Sequence, residues 1–316
     1  MKFDINENLF LAYVGLTASG YDMADKQDGE IQRLVKEICS LNYSGMLLKY
    51  FSSARTSQFE VNPYWPKGSV ITAACFFITD DTLLVDEFKE FLLDCNNIEV
   101  TTELIDWIKR LPDMIYELKQ SPNINRLWVK YNEIISTKMN GFLKAKDNIS
   151  KAMHMLHGTI EVKADIVFAP NLLQLPTCGD FVKRIGTLTV ISTFPDISTM
   201  LHEYLHPIIS KHSGIIRIKC NEHGYDKLYD TDKMKEIGYM TNDSTDAKTH
   251  VVEECFVRGL SLFLTHKVTG TSDGWVEWNH NNGFLLVQHV YDRACKNCPT
   301  IKELDSFISE TLDTAL

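Results

Sequence analysis

Apolar positions recur with a helical period through the first half of the chain, and the texture changes near residue 160. Glu30 to Leu41 sets Ile31, Leu34, Val35 and Ile38 at i, i+3, i+4 and i+7, the stripe of an amphipathic helix. Asn6 to Leu16 is a denser apolar run that predicts a helix ending near Ser19-Gly20. After a turn-rich break at 62–68, helices are expected over 69–78, 81–94, 101–119 and 123–157. From 159 onward β-branched residues take over, and 159–162, 165–169 and 182–193 read as strands. Asp246 to Val268 is apolar around most of a helical wheel and predicts a buried helix; helices at 284–295 and 301–313 close the chain. Together these elements predict an α+β, mostly α-helical fold. A helical N-terminal region, 1–160, is expected to pack on a second region, 161–316, that holds a small mixed sheet.

Composition narrows the function classes. A chain of 316 residues holds one large domain or two ordinary ones. Its net charge of −10, with no dense Lys/Arg block, argues against nucleic acid or an anionic membrane as the main partner. The longest apolar run, Val70 to Ile78, is too short to span a bilayer, and the N-terminus is too polar to begin a secretory signal. A cytoplasmic location is the expectation; oligomeric state is left open. The eight cysteines are scattered, several in apolar segments, and read as reduced core thiols. Cys295 and Cys298 form a C-x-x-C without the second pair or βαβ context that gives such a motif weight.

The chemistry concentrates at Asp196 to His206, which contains His202-Glu203-Tyr204-Leu205-His206, an H-E-x-x-H motif. On a helix, positions i and i+4 share a face, so both imidazoles can ligate one Zn²⁺ with Glu203 beside the open position. A helix is expected independently. Asp196 can cap its N-terminus, and Leu201, Tyr204, Leu205 and Ile208 form an apolar stripe beside the two histidines. Pro207 cannot donate to the carbonyl of Glu203, so a kink or an end is expected near His206. The alternative is a polar helix flank with two surface histidines. His154 and His157, an i, i+3 pair near a helix end, read as structural, with a second metal site as the alternative.

A catalytic zinc site needs a third protein ligand. His250, Glu254 and Arg258 make the single polar stripe on the otherwise apolar 246–268 helix, and a buried polar stripe must face something polar. Glu254 lies 48 residues beyond His206 (254 − 206). Glu253 falls in the apolar sector and competes with it; a carboxylate there needs a strong partner. His212 is in register for a histidine-type third ligand, but Ile209 stands where that pattern needs a turn-forming glycine.

With H-E-x-x-H at 202–206 and Glu253-Glu254-Cys255-Phe256-Val257-Arg258 on a later helix, the stretch 165–265 resembles the gluzincin branch of the zincin-like metallopeptidases. The spacing between motif and Glu is longer than in the best-known members, and there is no Asp four residues after Glu254, where some have one. The resemblance implies that 161–316 is a zincin-like metallopeptidase region. His202, His206 and Glu254 would hold Zn²⁺, Glu203 would be the general base, and the substrate would be a peptide or protein. His223, Tyr225, Tyr229 and Tyr239, in a polar span at 214–246 that reads as a long loop, are candidate oxyanion helpers; His250 could orient a ligand or touch substrate. If the 187–193 strand were a sheet edge, it could pair with an extended peptide. A non-catalytic zinc-binding or regulatory protein of the same fold is the competing function, and an accidental motif in a helical structural protein is a third.

Overall fold

The computed structural model describes the chain apart from residues 1, 22–28, 55–67, 95–99, 159–164, 176–178, 194–195, 238–242, 272–273 and 316. The expected strand at 159–162, most of the break at 62–68, Tyr239, Cys95 and Cys178 lie outside the described residues. The protein is mostly helical with a small mixed sheet, and it groups into two compact units. One comprises Met1–Leu143 with Ala164–Pro195, the other Lys144–Lys163 with Asp196–Leu316. This grouping cuts the chain differently from a division at 160/161, because the strands keep company with the N-terminal helices.

The first unit holds β1 (Lys2–Phe3), α1 (Glu7–Ala18), α2 (Gly29–Cys39), α3 (Gly45–Ser53), α4 (Ser69–Ala74), β2 (Ile78–Thr79) and β3 (Thr82–Leu83). It continues with α5 (Val85–Asp94), α6 (Thr102–Ile108), α7 (Leu111–Lys119), the first part of α8 (Pro122–His157), β4 (Asp165–Pro170), β5 (Gly179–Arg184) and β6 (Thr187–Ser192). Helix α1 is capped by the Asn6 side chain, which accepts from the Leu9 amide, and Leu9 to Leu16 are buried on every face. Where one helix was expected over 101–119 there are two, because Pro112 opens a new first turn.

The sheet runs β1-β4-β6-β5, with β1/β4 and β4/β6 parallel and β5/β6 antiparallel. The strand expected over 182–193 is therefore the turn and return of a hairpin. Ile185 and Gly186 both take positive φ, 43° and 73°, as a two-residue primed turn requires. Gly186 adopts this freely, whereas a β-branched Ile does so rarely. Strand β6 lies between two neighbours, so it is no edge and the proposed peptide pairing along it is ruled out. A buried polar cluster also belongs to this unit. Ser69 Oγ and Gln174 Nε2 donate to the two oxygens of Asp180 at 2.7 and 3.0 Å, and Asn171 Nδ2 donates to Gln174 Oε1 at 3.2 Å. Burial pushes the Asp180 carboxyl up to about 7 against the pull of those donors.

The second unit contains the end of α8, then α9 (Ile197–Ile209), α10 (Ser213–His223), α11 (Thr231–Glu236), α12 (Thr245–Thr269), α13 (Trp275–Asn281), α14 (Leu286–Lys296) and α15 (Leu304–Ala315). Helix α12 is buried along nearly its whole length and packs against α9 and α14. Gly259 makes the second contact possible: a Cβ there would lie 2.6 Å from the Val290 side chain. The 214–246 span, expected to be irregular, contains α10 and α11. Helix α10 buries Ile216 and Cys220 at i, i+4, while Ile218 is exposed among its polar residues. Residues Trp275–Asn281 form α13. The described cysteines 39, 75, 220, 255, 295 and 298 are free thiols. No helix among the described residues is long and apolar enough to cross a membrane.

Candidate metal centre

The motif helix is built as its sequence requires. Asp196 Oδ2 accepts from the Thr199 amide at 2.8 Å and caps α9. Met200, Leu201, Tyr204, Leu205 and Ile209 are buried, while Ile208, expected in the stripe, is only half-buried. The helix does not stop at His206. Pro207 sits three residues from the end, where the missing donor costs one hydrogen bond, and the Ser210 amide already closes onto the His206 carbonyl.

On the exposed side of α9, His202 Nε2 and His206 Nε2 stand 3.0 Å apart. Glu254, on α12, brings Oε1 to 3.4 Å from His202 Nε2 and Oε2 to 3.5 Å from His206 Nε2. The imidazoles are 18% and 23% exposed and Glu254 is fully buried. Glu203 is buried beside them, and His202, Glu203 and His206 present donor atoms within 4.8 Å of one another.

Electrostatics favour the protonation states that a metal needs. Burial lowers His202 to about 3, with Glu254 pulling the other way, and burial lowers His206 too, so both rings are neutral at pH 7. Burial works against charge on Glu254. The imidazoles and the Arg258 guanidinium outweigh it and hold the carboxyl well below its usual range. Arg258 Nε donates to Glu254 Oε1 at 2.6 Å, whereas Glu254 Oε2 is buried without a hydrogen-bond partner. His250, one turn before Glu254, is lowered to about 4 by burial, with the Glu254 carboxylate pulling the other way.

The alternative ligands point elsewhere. Glu253 pairs with the Ser213 side chain and lies near Arg217, with His250 Nδ1 at 3.9 Å; burial raises it to about 7. Ile209 is in the ordinary helical region, φ −66°, so the chain makes no turn back there, and His212 Nδ1 pairs with Asp305 at 2.5 Å. His157 hydrogen-bonds the Tyr204 hydroxyl on α9, while His154 is exposed. Of the proposed oxyanion helpers, Tyr225 is buried against Thr249, Tyr229 is buried, and His223 is exposed near Asp313. Sequence reasoning missed Asn279, whose Oδ1 accepts from Arg258 Nη1 at 2.8 Å. It sits in a stretch rich in Gly, Asp and Asn, and only its contact with α12 distinguishes it.

Compared with known protein families, curated proteins and solved structures, the chain matches none of them.

Proposed function

We propose that this chain is a zinc-dependent metallopeptidase of the zincin-like, gluzincin type. His202, His206 and Glu254 hold Zn²⁺, and Glu203 is the general base. The observation that carries the reading is the convergence of two imidazole nitrogens and one buried carboxylate. A tetrahedral ion with bonds of about 2.0–2.1 Å separates its ligand atoms by roughly 3.3 Å. His202 Nε2 and His206 Nε2 are 3.0 Å apart, Glu254 Oε1 is 3.4 Å from the first and Oε2 3.5 Å from the second, and Oε2 is buried without a hydrogen-bond partner. A buried polar atom left unsatisfied is costly, and a cation placed among these donors removes the cost.

Zn²⁺ held there would supply Lewis acidity toward a water and a substrate carbonyl. The chain's own residues do the rest. The two neutral imidazoles and the buried carboxylate would hold the ion. Glu203 follows His202 by about 100° around the helix, so it faces the open position. It accepts the proton of the attacking water and delivers it to the departing amine nitrogen.

Elemental analysis of purified full-length protein should give one zinc per chain. Glu203→Gln should keep that zinc while peptide hydrolysis falls by about 10²–10⁴. Glu254→Gln should weaken zinc binding, since a neutral amide is a poor ligand. Absence of bound zinc after metal-replete purification sinks the proposal. Firm zinc binding with no cleavage of a broad peptide library would leave the non-catalytic zinc-binding protein in its place.

A further inference from the structure

Glu254 offers two oxygens, and a residue outside the donor set chooses between them. Arg258 lies one turn after Glu254 on α12, and its Nε donates to Oε1 at 2.6 Å. Its Nη1 donates to Asn279 Oδ1 at 2.8 Å, and its guanidinium sits 4.2 Å over the Phe284 ring. Asn279 is buried and is itself fixed, its Nδ2 donating to the Trp275 carbonyl at 2.7 Å. A planar guanidinium tied along two edges and stacked on one face has one posture. Oε1, 3.4 Å from His202 Nε2, is thereby committed to a charge-assisted bond, and the oxygen without a hydrogen-bond partner is Oε2, 3.5 Å from His206 Nε2.

We infer that Arg258 is a positioning residue that makes Glu254 a one-oxygen ligand through Oε2. This rests on the proposed zinc site. A carboxylate free to rotate can grip an ion with both oxygens and take up the position that water needs. With Oε1 tied back, the third ligand occupies one position and the fourth stays open. Asn279 and Phe284 serve the same end by holding the guanidinium. In the family that the sequence resembles, some members carry an acid at this i+4 position. Here a cation acts on the carboxylate ligand itself.

Cobalt(II) in place of zinc reports coordination, because four-coordinate cobalt absorbs visible light far more strongly than five- or six-coordinate cobalt. Wild-type protein loaded with Co²⁺ should show the intense four-coordinate band. Arg258→Met should weaken that band and raise the zinc dissociation constant about 10- to 100-fold, the usual effect of losing an outer-shell partner. Arg258→Lys, which keeps the charge but not the fork, should recover part of the band. Asn279→Ala should shift both readouts in the same direction by less. An unchanged cobalt band and zinc affinity in a folded Arg258→Met protein overturns the inference while the zinc site stands. If Arg258→Met does not fold, Asn279→Ala decides, and no change there overturns it equally. A wild type that binds neither metal sinks the zinc reading and this inference with it.

Discussion

Two acids, one in each unit, are treated in opposite ways. Asp180, half-buried, has a donor on each oxygen and a carboxyl pushed up to about 7 by desolvation. Each of its oxygens has a hydrogen-bond partner. Glu254 is more deeply buried, yet it is held ionised. One of its oxygens accepts from Arg258 and lies near His202, and the other, near His206, has no hydrogen-bond partner. Burial of a carboxylate therefore does not mark a site. What marks it is a carboxylate kept charged and left incomplete beside neutral nitrogen donors.

Removing metal should separate the two clusters most sharply. At free zinc 100-fold above its dissociation constant, bound zinc adds about 2.7 kcal/mol to stability. Chelation should therefore lower amide-exchange protection in α9 and α12 by about that amount and leave the strands around Asp180 unchanged. Equal loss in both units would break the contrast.

A smaller effect distinguishes the acids by pH. The Asp180 pKa is raised on folding, so the folded chain binds a proton there between about pH 4 and 7 that the unfolded chain lacks. Its contribution is whole at pH 4 and gone above 7. The stability of the wild type minus that of Asp180→Asn should fall by on the order of 1–3 kcal/mol across this window in denaturant titrations. A flat difference would show that Asp180 is not held protonated.

The smallest effect concerns the back of the motif helix. Tyr204→Phe removes the hydrogen bond to His157 and should cost about 1 kcal/mol in thermal or denaturant unfolding. Zinc affinity should not move, because the lost bond belongs to a satisfied pair. A drop in zinc affinity comparable to that of Glu254→Gln would show the two faces of α9 to be coupled.

Much of the candidate site was legible in the sequence because its signals are local. The i, i+4 histidines, the Asp196 cap and the polar stripe of α12 each depend on one helix. The stripe's neighbour Glu253 was separable from Glu254 by wheel angle, and the two acids face different partners. Features set by contacts between elements were not legible. Helix α10 hides a two-residue buried face in a polar segment, and Asn279 acquires meaning only through Arg258. The β5–β6 hairpin was missed because an Ile, not Asn or Asp, precedes Gly186 in its turn. Pro207 was overread: near a helix end it removes one bond, which is too little to stop the helix.

The span between His206 and Glu254, 48 residues (254 − 206), has a consequence for folding. A peptide covering α9 alone carries two of the three proposed ligands and can grip an ion only weakly. The full set comes together only once α10, α11 and the first half of α12 have closed that loop, a step whose entropy must be met by packing α12 against α9. Tight zinc uptake during refolding should therefore be a late event, and its rate a direct clock for the docking of two helices far apart in the chain.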